Sequence, residues 1–237
     1  MKKLLLALLF VGTCSGLNAQ VLLSWDFTGS NTGTVAGVEN PTPNSFFDAT
    51  VLTRGAGVLT SSDQPDLFAS TGFLAADLAS AVTANDFFSF TVTPTAGNRM
   101  NLTTIDFLAE RDHKNGPTSI EVRYDLNGFG PGDTDGTLVG SVQSFIGNNT
   151  TLAGNNLSFG LGGLTVPDGG TATIRIYAYD SQSGDRWVGL GGATDDLILN
   201  GTAEAVPEPS TYALIFGGIA LGGVLIVKRR AKKEQTA

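Results

Sequence analysis

Apolar residues in this chain come in short runs with a period of two, and that spacing limits the fold more than any other feature. Leu23, Trp25 and Phe27 alternate with Ser24, Asp26 and Thr28, and Phe88, Phe90 and Val92 alternate with Ser89, Thr91 and Thr93. The pattern recurs at Ile105 and Phe107, at Ile120 and Val122, at Ile174, Ile176 and Ala178, and at Leu197 and Leu199. Side chains two apart share one face of a strand, so each run offers an apolar face to a second sheet. Turn sequences separate the runs, among them Asn127-Gly128, Gly130-Pro131-Gly132 and Pro167-Asp168-Gly169-Gly170. One looser stretch, Pro65 to Ala79, spaces Leu67, Phe68, Leu74 and Leu78 for one face of a short helix. The expectation is an all-β domain over residues 20–202 with two sheets packed face to face.

Both ends of the chain stand apart from that domain. Lys2 and Lys3, the apolar run Leu4 to Val11 and the small residue Ala19 have the three-part layout of a secretory signal peptide over residues 1–19. Cys14, the only cysteine, is read as part of the discarded peptide, the alternative being the lipid-modified cysteine of a lipoprotein signal. With that peptide removed no thiol remains, so disulfides cannot hold the domain together and core burial must. Two inner apolar faces built from strands far apart in sequence point to a jelly-roll-like sandwich.

At the other end, residues 203–211 form a linker containing Val206-Pro207-Glu208-Pro209. The prolines keep this backbone extended and deny it ladder donors. An uncharged stretch, 212–227, is expected to be a transmembrane helix, and residues 228–237 carry Lys228, Arg229, Arg230, Lys232 and Lys233. Sixteen helical residues reach about 24 Å, short of the ~30 Å hydrocarbon core unless the basic side chains snorkel. The basic cluster predicts a cytoplasmic C-terminus and an external domain. This order of elements closely resembles the PEP-CTERM sorting signal. That resemblance implies recognition of Pro207, Glu208 and Pro209 by an exosortase, which cleaves near the motif, in a cell that makes exopolysaccharide. The domain more loosely resembles those found ahead of such tails, in its Trp25 to Phe27 strand, its Asn115 to Pro117 and Leu126 to Phe129 turns, and its Asp195 to Leu199 strand. That likeness implies a jelly-roll sandwich with no assigned activity.

Charge and residue chemistry narrow the function. Residues 20–206 hold 7 Lys and Arg against 20 Asp and Glu, a net charge of −13, which repels nucleic acid and polyanions. Nucleophilic triads need a base beside the nucleophile, and the single histidine, His113, lies in a charged loop sequence. Glu110 and Glu121 could in principle act as paired carboxylates on a glycoside, but sequence spacing does not give their separation. Calcium is the better-motivated ligand: Asp133 and Asp135 precede a turn glycine. Asp26 near the chain start could also pair with Asp195 or Asp196 near its end, as a likeness to jelly-roll carbohydrate-binding domains, in which calcium ties the terminal strands together, implies. Sugar recognition would call on Arg175, Tyr177 and Tyr179, on the strand face opposite Ile174 and Ile176, together with Arg186 and Trp187 in a nearby loop. The resulting expectation is an exported, non-catalytic surface or matrix protein that binds exopolysaccharide, against a purely structural matrix component and, less favoured, a glycoside hydrolase.

Overall fold

A computed structural model describes residues 20–27, 46–48, 52–60, 64, 66–129, 136–145, 157–191, 197–206 and 216–224. The strands in chain order are β1 (Gln20–Trp25), β2 (Phe47–Asp48), β3 (Thr53–Arg54), β4 (Leu59–Thr60), β5 (Phe68–Thr71), β6 (Phe87–Pro94) and β7 (Asn98–Phe107). They continue as β8 (Ala109–Arg111), β9 (Ser119–Asp125), β10 (Thr137–Ser144), β11 (Leu157–Val166), β12 (Ala172–Tyr179), β13 (Val188–Leu190) and β14 (Leu197–Ala205). One short helix, α1 (Leu78–Ala84), interrupts them, and residues 216–224 form a second.

All pairings are antiparallel, as the alternating pattern predicts, and the architecture is all-β. One four-stranded sheet has the order β1-β14-β7-β11; a six-stranded sheet runs β10-β9-β12-β6-β2, with β3 also on β6; a smaller sheet runs β4-β5-β13-β8. The inward faces of all three feed one apolar cluster that includes Trp25, Ile105 and Leu199 from the first, Val122, Ile174 and Phe90 from the second, and Phe68 and Leu190 from the third. Trp25 crosses from the first sheet to the second, its ring centroid 4.7 Å from that of Phe90. This arrangement is consistent with a sandwich closed at one end by the small sheet.

Irregular pairing adapts the strands to that core. In β1 the register shifts between Val21 and Leu23, and the adjacent Leu22 and Leu23 both join the same apolar cluster, which the bulge permits. β7 and β8 are separated by Leu108 alone yet belong to different sheets, so the chain turns the corner of the core there without a loop. Buried cations fasten the small sheet and its neighbours. Arg54 on β3 donates from Nε to Ser70 Oγ (2.6 Å) and from Nη2 to the Ala69 carbonyl (3.0 Å), and lies 3.7 Å over the Phe68 ring. Burial lowers its pKa to about 10. Arg111 donates to the Pro117 carbonyl at 2.8 Å and so holds the 112–118 loop.

The helix expected over Pro65–Ala79 lies elsewhere. Residues 68–71 pair as β5, and the helix begins at Leu78, where the Asp77 carboxylate accepts from the Ser80 backbone N–H at 2.8 Å. Gly72 at φ +94° breaks the stretch between them, and a strand with a partner overrides loose helical spacing. The helix over 216–224 falls inside the expected 212–227 span, whose other residues lie outside the described ones. Among the described residues no helix is long and apolar enough to cross a membrane. The 1–19 leader and the 228–237 tail are also outside the described residues.

Because Trp25 is fully buried against the opposite sheet, Trp25→Ala should cost about 3–5 kcal/mol in chemical denaturation. Leu59→Ala, at a position 65% exposed, should change stability by less than about 0.5 kcal/mol. Equal effects would show that the inter-sheet contact is not where the stability resides.

Candidate functional site

The outward face of the six-stranded sheet collects the aromatic and charged residues that the sequence singles out. On β12, Arg175, Tyr177 and Tyr179 face away from the core side chains Ile174 and Ile176, as alternation requires. Register sets their neighbours: Arg175 lies between Arg123 on β9 and Ser89 on β6, and Tyr177 between Glu121 and Phe87. Thr173 follows on the same face, opposite Thr91 and Asp125.

The tyrosines do not form an open platform. Tyr177 is fully buried in a second apolar cluster with Ala75, Ala81 and Phe87, and α1 lies over it through Leu78 and Val82. Its ring meets Phe87 edge-on at 5.5 Å. Tyr179 is half-buried in the same cluster and donates its hydroxyl to Glu121 Oε2 at 2.8 Å. Burial first, and then the hydrogen bond to Glu121, raise its pKa well above the ordinary tyrosine range. The expectation of an accessible Tyr177–Tyr179 stacking face is therefore overturned. Its physical reason is that α1, placed seven residues beyond β5, has an apolar face that needs cover, and the tyrosines supply it.

Asp86 keeps α1 in that position. It is buried at the junction of α1 and β6 and accepts backbone N–H bonds from Leu74 and Ala75. Gly57 lets the chain pass this point, since a Cβ there would run into the Asp86 carboxylate and the Ala84 carbonyl.

The rest of the face is organised around two arginines. Arg123 pairs through Nε with Glu121 Oε1 and donates from Nη1 to the Gly136 carbonyl at 3.2 Å. Both oxygens of the buried Glu121 are thus engaged by neighbours on the sheet. Arg175 has different company. Its guanidinium carbon lies 4.1 Å from the ring centroid of Phe87 and 4.0 Å from that of Phe129, and Nη1 reaches the Tyr177 hydroxyl at 3.3 Å. Its Nε is buried and has no hydrogen-bond partner among the described residues. Gly136, at φ +51°, makes room for the Phe129 ring, which a Cβ there would strike. Sequence reading picked out Arg175 but missed Phe87, Arg123 and Phe129 around it. Alternation put Arg123 on the polar side of β9, but only the three-strand register sets it beside Arg175.

Arg186 and Trp187 occupy a separate place, the loop entering β13. Arg186 Nη1 lies 3.5 Å from Asp112 Oδ2, and the Trp187 backbone N–H donates to Asp112 Oδ1 at 3.1 Å. Among the described residues no hydrogen bond, ion pair or ring contact joins them to Arg175, Tyr177 or Tyr179. His113 lies in the adjoining loop, where its Nδ1 accepts from the Asn115 backbone N–H at 3.1 Å. Glu110 sits on β8, and burial raises its carboxyl pKa.

Asp26 is exposed just beyond β1, while Asp133, Asp135, Asp195 and Asp196 lie outside the described residues, as do Pro207, Glu208 and Pro209. Among the described residues no three metal-ligating side chains converge. Searches against protein-family models, curated proteins and solved structures found no match to this chain.

The raised pKa of Asp86, caused by burial, gives a test of the α1 anchor. A carboxyl shifted upward on folding adds stability below its ordinary range and gives it up as pH rises through the raised value. Asp86→Asn removes that loss, so its stability relative to wild type should climb as pH rises from the ordinary carboxylate range, about 4, through the raised value. Urea denaturation at several pH values reads the difference; a constant difference would contradict the buried, shifted carboxyl.

Proposed function

We propose that this chain is an exported, non-catalytic surface or matrix protein, delivered by a PEP-CTERM sorting tail and meeting exopolysaccharide outside the cell. The observation that carries the proposal is that the last strand stays paired right up to the proline motif. β14 stays paired with β7 as far as Ala205 opposite Asn98, Arg99 and Glu204 bridge the two strands at 2.8 Å, and the Val206 N–H still donates to the Gly97 carbonyl at 2.7 Å. Pro207-Glu208-Pro209 begins at the next residue, and the helix over 216–224 starts ten residues beyond Val206. A last strand that stays paired up to the residue before a Pro-Glu-Pro sequence, with a helix and a basic stretch beyond it in the chain, is the layout an exosortase substrate needs. The C-terminal helix is the membrane attachment in this reading.

Strand order supports a jelly roll for the body. Taken in chain order, the eight long strands fall as first-eighth-third-sixth in one sheet and fifth-fourth-seventh-second in the other. This is the nesting that folds a long antiparallel hairpin into two facing sheets. A non-catalytic role is supported by the uses to which the reactive side chains are put: Glu121, Asp112 and His113 are each engaged in holding strands or loops. A purely structural matrix role gains from the burial of Tyr177, which removes that ring as a stacking face for sugar. Calcium at Asp26, Asp133, Asp135, Asp195 or Asp196 remains part of the proposal as a stabilising ion.

The tail is tested by Glu208→Ala. Cell fractionation and immunoblotting should find the variant unprocessed in the inner membrane, with wild type trimmed and displayed or released. Identical processing of the two would reduce the tail to a plain anchor.

A further inference from the structure

The six described arginines divide by what their donors reach. Arg99, Arg123 and Arg186 each meet a carboxylate, and Arg54 and Arg111 donate to carbonyl oxygens. Arg175 alone has neither among the described residues. It makes a single 3.3 Å hydrogen bond to a neutral hydroxyl, its Nε finds no partner, and the residue directly opposite on β9 is another arginine. Like charges opposite one another on adjacent strands repel, and a half-buried cation with unused donors is costly. Phenyl rings stabilise a guanidinium by their faces but accept none of its in-plane N–H bonds. Phe87 and Phe129 thus hold the group in place and leave its donor edge unserved. A fixed planar fork of N–H donors is the complement of a carboxylate.

We propose that Arg175, set by Phe87 and Phe129 beside Arg123, is a binding point for a single carboxylate carried on an otherwise neutral glycan. Hydroxyl groups continue the same face for the sugar chain: Thr91 and Thr173 lie side by side at 3.4 Å, and Thr93 and Thr171 at 3.0 Å. The overall charge sets the ligand class. A body of net charge −13 repels a densely charged polyuronate, but beyond ~8 Å at physiological salt that repulsion is largely screened, and one carboxylate makes contact at short range. The glycan class rests on the proposed encounter with exopolysaccharide. The carboxylate site itself does not depend on export or sorting.

The test is calorimetric titration of the purified full-length chain at physiological salt. The probe is a xylotriose bearing one 4-O-methylglucuronic acid, with xylotetraose as its uncharged counterpart. The acidic oligosaccharide should bind at least about tenfold more tightly than the neutral one, a factor of ten being about 1.4 kcal/mol. Arg175→Met, which keeps an unbranched side chain between the rings, should lose at least about tenfold with melting temperature held as the folding control. If that variant fails to fold, Arg175→Lys, which keeps charge but not the fork, should still lose about threefold or more. Free glucuronate should compete only at a much higher concentration. Binding of xylotetraose equal to the acidic probe, a substitution at Arg175 without effect, or no binding of the acidic probe would each overturn the site. Competition by free glucuronate at equal concentration would overturn its assignment to a glycan. None of these readings involves Glu208 processing, so the site and the sorting proposal fail separately.

Discussion

Contact between the two large sheets is the interaction on which everything else in this molecule rests. No thiol lies beyond residue 19, so no covalent link can hold the sheets together, and apolar burial has to do so. Trp25 against Phe90 joins them across the core, while Phe107 and Phe159 stack at 5.5 Å within the first sheet. Phe68 and Phe88 tie in the small end sheet at 5.3 Å. Once these inner faces are fixed, strict alternation decides what each strand presents outward. The polar face of the six-stranded sheet is in that sense a by-product of the core.

That outer face is split by α1. Where the helix lies over it, Tyr177 and Tyr179 behave as core residues, and Glu121 is buried with its charge matched by Arg123 and its second oxygen held by Tyr179. Beyond the edge of the helix the face opens to Arg175, Phe129 and the threonine rows. The buried Asp86 governs the division, because it holds the segment leading into α1 to the start of β6. A small helix on a sheet thus determines which polar residues are structural and which stay available.

How far the sequence could be read follows from the range of the interactions involved. Period-two spacing depends only on neighbours in the chain, and it correctly assigned Trp25, Phe90, Ile105, Val122 and Leu199 to the core. It also put Arg175, Tyr177 and Tyr179 on the opposite face from Ile174 and Ile176. It could not show what lies above that face. Leu78 and Val82 cover Tyr177 from almost a hundred residues away, and a two-turn helix built largely of alanine, serine and threonine leaves a faint pattern. The partners of Arg175 were hidden for the same reason: Phe87 comes from β6 and Phe129 from the connection after β9, and only the β6-β12-β9 register brings them to it. Bulges such as the one at Leu22 break the alternation outright and have no local signature.

The account turns on Arg175 being a cation held by two rings with no counter-charge among the described residues. Nitrogen-15 NMR of the arginine side chains in the full-length chain observes this directly. The Arg175 Nε–H should be shifted by ring currents from Phe87 and Phe129 and should exchange slowly with solvent, because that atom is buried. Arg99, whose side chain is 52% exposed in its ion pair with Glu204, supplies the reference for fast exchange. A slow, ring-shifted Arg175 signal that moves when the acidic oligosaccharide is added is the result this account predicts. An Arg175 signal that exchanges as fast as that of Arg99 and lacks the ring-current shift would contradict it.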